Sequence, residues 1–177
     1  LETIVGPENV EIYLSRFGPI DDVFFDGVLN YEGLAFFVYT TSMNWHDLIN
    51  SELWSGNPKN EILYFRDVLN GALDKLPFYT ANLGLVYRGY NTNYLSEFLE
   101  RYAVGGVIHF PAFTSAAFKE NHAFGGNVIF IIRALIARAV WHLSADFGEY
   151  EVLIPAGRNF RVLAKELRDD RAVIYLE

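Results

Sequence analysis

A chain of 177 residues with 51% apolar and 16% aromatic side chains can fill one sizeable core, which excludes a disordered protein. Its net charge of −8 argues against a general phosphate-backbone binder, without barring nucleic acid as a substrate, and the absence of Cys removes disulfides, thiolate metal sites and a cysteine nucleophile. Neither a signal peptide nor a run of about 18 apolar residues occurs, so a soluble domain is expected; starting at Leu1 rather than Met, it is expected to be cut from a longer polypeptide.

Residues 1–30 mix apolar pairs with Gly6, Pro7, Gly18, Pro19 and Gly27, a pattern of short helices or turns. The run E-G-L-A-F-F-V-Y-T-T after Tyr31 predicts a buried helix. Asn44 is placed to cap a second helix carrying Trp45, Leu48, Ile49 and Leu53. After a Gly-Asn-Pro loop at 56–58, Asn60 is placed to cap a third helix, with apolar residues from Ile62 to Leu73 at helical spacing until Pro77. The first 80 or so residues therefore read as mainly helical.

From Leu83 the character changes, and fifteen Phe and eleven Tyr favour a sheet with an aromatic-lined cleft. L-G-L-V-Y-R-G-Y predicts the first core strand, followed by a helix-like insert over 93–102. V-I-H-F-P-A-F-T-S-A-A predicts a second strand, interrupted at Pro111 and so placed on an edge or at a bulge. A polar loop, F-K-E-N-H-A-F-G-G, precedes a buried strand over 127–132; after a loop at 144–148 come the strand that opens at Glu149 and two more strands to the end.

The stretch Gly148 to Gly157 carries two acids one residue apart. If both residues are extended, Glu149 and Glu151 share a face with alpha carbons about 6 to 7 Å apart, close enough for two carboxylates to serve one reacting centre. On spacing alone the plainer reading is favoured: an amphipathic strand with Tyr150, Val152 and Ile154 in the core and both acids in water.

Four separated pieces decide otherwise when read together. They are V-Y-R-G with Arg88, F-T-S-A-A with Ser115, the segment G-N-V-I-F-I-I, and E-Y-E-V-L-I-P-A-G-R-N-F-R-V with Glu149 and Glu151. In this order they resemble the arginine-serine-glutamate class of mono-ADP-ribosyltransferases, the fold of many bacterial toxins, over roughly residues 31–177. The resemblance implies an α+β fold, an ADP-ribosyltransferase-like split β-sandwich of two packed sheets with helices mainly in the N-terminal part. One domain over 1–177 is expected, helical to about 80 and sheet from about 81. The pattern departs from the family at Ala116 and Ala117, where Thr and Ser usually follow Ser115, so the later hydroxyls are missing.

The resemblance also implies the chemistry. NAD is the co-substrate and no metal is required. Nicotinamide leaves a cationic ring as a neutral pyridine, so the demand falls on stabilising the oxocarbenium-like sugar. By resemblance Glu151 serves that cation, Ser115 orients Glu151, Arg88 holds phosphate or ribose oxygens, and the backbone of Gly89 meets the nicotinamide amide. Phe124, or alternatively Phe147, is placed to stack on nicotinamide, and 118–126 matches the family's loop over phosphate and nicotinamide. Glu149 is the base for an arginine acceptor, which is protonated and non-nucleophilic in water.

Expected partners are NAD and a target protein of a host or rival cell, with an immunity protein or activator admitted; the domain is expected to be secreted or delivered as a toxin or effector. The alternatives are an NAD glycohydrolase of the same fold and a catalytically weak binding module. His46, His109, His122 and His142 have no metal-ligand spacing and receive no role.

Overall fold

Helices occupy the first part of the chain in the computed structural model, which describes residues 6–17, 23–25, 27–40, 45–123, 125–140, 151–168 and 171–177. These residues fall into two units, 6–77 with 138–140 and 78–137 with 151–177. In the first unit α1 is Pro7–Phe17, started by a Pro at the position where its missing N–H costs nothing. A small antiparallel pair follows, β1 (Val23–Phe25) and β2 (Val28–Leu29), too short to be read from the sequence. α2 (Asn30–Tyr39) is the expected buried helix, and every residue from Glu32 to Tyr39 is buried.

α3 (Trp45–Trp54) buries Ile49 and Leu53, while Asn44, its expected cap, lies outside the described residues. α4 (Asn60–Lys75) buries Ile62, Phe65, Leu69, Ala72 and Leu73, the apolar stripe of a 3.6-residue repeat. Its cap differs from expectation. Lys59 is the extended residue before the helix and offers no side-chain cap, and Asn60 is the first helical residue. The Lys59 N–H instead donates to the Glu52 carboxylate at 3.4 Å, an outside acceptor for a helix-end donor.

Two buried charges are held inside this unit. Glu32, 4% exposed, accepts from Lys75 Nζ at 2.7 Å, joining α2 to the end of α4. Arg138, in the two-residue β7 (Arg138–Ala139), donates through Nε to the Leu73 carbonyl at 2.9 Å. That carbonyl lies in the last turn of α4 and also accepts from the Leu76 N–H that caps the helix, at 3.1 Å.

In the second unit the strands are β3 (Leu85–Tyr90), β4 (Val107–Phe110), β5 (Thr114–Ala117), β6 (Val128–Arg133), β8 (Glu151–Ile154), β9 (Arg158–Arg168) and β10 (Arg171–Leu176), with α5 (Leu95–Glu100) between β3 and β4. Their hydrogen-bonded order is β4-β9-β10-β6-β3-β5-β8, with β6 and β10 parallel and the other neighbours antiparallel. β9 is shared: its start pairs with β4 and its end with β10, with a register shift near Leu176. In a flat sheet, β4 and β6 would be about 14 Å apart, three strand spacings. The rings of Phe110 on β4 and Phe130 on β6 are instead 6.3 Å apart, so the sheet folds over on itself and its two parts pack face to face. Phe160 and Tyr102 join Phe130 and Phe110 in that layer, the core of the expected split sandwich.

Two strand expectations change. The stretch 107–117 is not one interrupted strand: Pro111 lies between β4, at one end of the order, and β5, which sits between β3 and β8. The edge position holds for β4 only, because the chain crosses from one part of the sheet to the other at the residue with no N–H to give. β3 begins at Leu85 rather than Leu83, because Asn82 and Leu83 take left-handed backbone angles, φ 50° and 56°, inside a 3-10 turn.

Candidate functional site

The pleat of β3, β5 and β8 arranges the residues singled out by sequence. Tyr87 lies opposite Ala117, and Ala117 lies opposite Glu151. Ser115 pairs with Leu153, two residues along from that line, so Ser115 and Glu151 share a face as diagonal neighbours across β5 and β8. Glu151 is the first residue of β8 and 8% exposed, and Ser115 is half-buried. The solvated strand face that spacing alone favoured is therefore overturned at Glu151.

Arg88 belongs to the opposite parity of β3. It shares its face of β3 with fully buried Val86, Arg88 lying opposite Phe130 and Val86 opposite Ile132 of β6. Its Nη1 donates to the Ser115 carbonyl at 2.8 Å, linking β3 to β5 at the residue that sequence singled out there. A guanidinium has five N–H donors, and among the described residues this is the one hydrogen bond Arg88 makes. The rest of the fork fits the oxygens of a phosphate or ribose. Gly89 follows on β3 opposite Ile129, leaving backbone without a side chain between Arg88 and Tyr90. Arg88 also acts on the aromatic layer: burial first, then Tyr90, push the Tyr102 phenol up to about 12, while Arg101 and Arg88 pull the other way.

The structure thus joins Arg88, Gly89, Ser115 and Glu151 on three adjacent strands. Glu149, Phe124 and Phe147 lie outside the described residues. Ala116 and Ala117 are both buried, and Ala117 stands directly opposite Glu151, so the hydroxyl missing from the family pattern is the one nearest that acid in register. Among the described residues there is no group of three His, Asp or Glu side chains that could hold a metal, and no helix long and apolar enough to cross a membrane.

The sequence places Gly126 at the end of the 118–126 loop and Gly126-Asn127 in a family-like segment, but shows no contact for either, and gives Thr92 no role. A Cβ added at Gly126 would overlap the backbone carbonyl of Tyr90, so only glycine lets the end of the loop lie against β3. The Asn127 side chain exchanges two hydrogen bonds with the backbone of Thr92. The sequence signal is the Gly-Asn pair before β6, but nothing local reveals a partner 35 residues away.

Solved structures place this fold among bacterial ADP-ribosyltransferases and effectors. The type III effector XopAI from Xanthomonas axonopodis pv. citri superposes with TM-score 0.77 at 20% identity, covering 96% of this chain and 76% of that one. Exoenzyme S from Pseudomonas aeruginosa, solved with human 14-3-3 protein beta and carba-NAD, gives 0.73 at 19% identity, covering 97% and 82%. In sequence, the chain is 41% identical over 103 residues, 56% of its length, to Mav of Mycobacterium avium, a protein that carries the name of an NAD(+)–arginine ADP-ribosyltransferase; the match spans 12% of that protein. The family model for NAD:arginine ADP-ribosyltransferase matches residues 23–177, and the chain belongs to that family.

Proposed function

We propose that this domain cleaves the nicotinamide–ribose bond of NAD and transfers ADP-ribose to an arginine of a protein acceptor. The observation that carries the reading is the placement of Arg88, Ser115 and Glu151 on adjacent strands, with Glu151 buried and Arg88 bonded to the Ser115 backbone. As the bond from ribose C1′ to the ring nitrogen breaks, both electrons go to that nitrogen and neutral nicotinamide leaves. Positive charge grows on the sugar, and a carboxylate with little water around it stabilises that charge strongly. Glu151 takes this role, with Ser115 as its positioning neighbour. Arg88 anchors phosphate or ribose oxygens, the Gly89 backbone meets the nicotinamide amide, and Phe124 stacks on the nicotinamide ring. A guanidine nitrogen of the acceptor bonds to C1′, and its proton passes to Glu149, the base.

The biological setting is a toxin or effector domain, secreted or delivered into a host or rival cell, where a protein of that cell is modified. An immunity protein or activator fits the same setting. Support comes from the effector origin of the similar structures, one of which was solved with a human protein and an NAD analogue.

The test uses purified domain, NAD and a small guanidine acceptor, with nicotinamide release and ADP-ribosyl-guanidine measured together. Wild type is expected to make both products. Glu149→Gln is expected to keep appreciable NAD hydrolysis, with water as acceptor, while transfer to guanidine is lost. Equal loss of both products in that variant overturns the division of labour between the acids.

A further inference from the structure

The polar stretch 118–126 separates β5, which carries Ser115, from β6, and its far end is tied down by a side chain. Thr92 N–H donates to Asn127 Oδ1 at 3.0 Å, and Asn127 Nδ2 donates to the Thr92 carbonyl at 2.7 Å. A primary amide is suited to this: it offers one acceptor and one donor side by side, matching the carbonyl and N–H of one residue. The backbone of Asn127 is itself fixed, since its carbonyl accepts from Ala172 N–H at 2.9 Å, next to the pairing of β10 with β6. The other side of the latch is ordered too. The Thr92 hydroxyl accepts from Tyr94 N–H at 3.2 Å, turning the chain from β3 into α5. Gly126 completes the contact by lying against the backbone of Tyr90, where any Cβ would overlap.

We infer that Asn127 is a positioning residue for NAD: it locks the end of the 118–126 loop to the end of the strand that carries Arg88 and Gly89, so the two NAD-facing segments keep a fixed spacing. The inference rests on the proposed transferase reading. The latch touches no reacting atom, so its loss weakens NAD binding and leaves the chemical step in place. Removing the amide frees the Thr92 carbonyl and N–H and lets the loop end leave β3. Preorganisation is then lost, and NAD itself must order the segment when it binds.

The experiment compares wild type, Asn127→Ala and Gly126→Ala in steady-state nicotinamide release, together with hydrogen exchange of the backbone amides. For both variants KM for NAD is expected to rise about tenfold, equivalent to about 1.4 kcal/mol, with kcat within about threefold. Exchange over 118–126 is expected to quicken, while KM for the guanidine acceptor stays put. A structural defect alone would lower the amount of active enzyme and reduce kcat without moving KM. Variants that turn over NAD with wild-type KM overturn the inference and leave the proposed function standing. A wild type that releases no nicotinamide removes the proposed function instead, and unchanged loop exchange in Asn127→Ala then removes the latch as well. Should both variants fail to fold, wild type alone decides: a Thr92 amide exchanging as fast as its exposed neighbours contradicts the latch, and a protected one upholds it.

Discussion

Glu151→Gln removes one negative charge while preserving the shape of a side chain that is 8% exposed at the start of β8. For a full positive charge about 4 Å away, at an effective dielectric constant of about 20, the lost attraction is about 4 kcal/mol. The sugar carries only part of that charge at the transition state, so about 2 kcal/mol is a lower bound. At 1.36 kcal/mol per decade the rate falls by about 30-fold to 1,000-fold. Because the charge develops as the bond breaks, the loss belongs mainly in kcat. The assay is the initial rate of nicotinamide release at saturating NAD, with thermal unfolding checked alongside. Gln fills the same space, so the melting temperature should stay within a few degrees. A folded Glu151→Gln enzyme with kcat within about threefold of wild type refutes the assignment of Glu151 to the sugar cation.

Arg88→Lys keeps a charge but loses the planar fork and the bond to the Ser115 carbonyl, so KM for NAD should rise at least about tenfold; an unchanged KM removes Arg88 from substrate binding. Lys75→Met leaves the Glu32 charge buried without the ammonium 2.7 Å away. Lys75 is itself partly exposed, so the expected cost is about 2 kcal/mol, below the range for fully buried pairs, and adding Glu32→Gln should recover much of it in denaturant titration. For Tyr102, burial raises the phenol from 10.0 to about 12 in the folded state. Below pH 10 the phenol is protonated whether the chain is folded or not; between 10 and 12 the unfolded chain alone ionises, and stability falls with rising pH. Burial pushes the Tyr13 phenol up as well, so Tyr102→Phe should flatten the pH profile of the melting temperature without levelling it.

Elements whose identity rests on their own residues were legible in the sequence. The unbroken apolar run of β6 and the helical stripe of α4 each need no distant partner to be recognised. What failed depended on other parts of the chain or on unusual backbone. Pro111 reads locally as a kink in one strand, whereas the pairing of β4 with β9 and of β5 with β8 separates the halves. Leu83 looks like a strand residue and adopts left-handed angles that leucine rarely takes. Asn60 has the chemistry of a cap, but the helix starts one residue earlier than that role requires.

The site was legible only through the order of its motifs. Arg88 and Ser115 are 27 residues apart, and no periodicity predicts that one guanidinium will meet the other's carbonyl. Spacing alone favoured placing the acid pair in water, while the burial of Glu151 follows from pairing with β5. The Asn127 latch was illegible for the same reason. It reaches backbone rather than side chain, so the identity of its partner residue carries almost no signal.

Incubating the domain with isotopically labelled NAD and a cell lysate, then mapping the label by mass spectrometry, reads NAD cleavage and the acceptor side chain together. The prediction is release of nicotinamide and ADP-ribose attached to arginine side chains, with both signals strongly reduced for Glu151→Gln. Label on another residue type contradicts the arginine acceptor. No nicotinamide release by folded wild type, in the presence of acceptor and lysate, contradicts transferase and hydrolase activity alike.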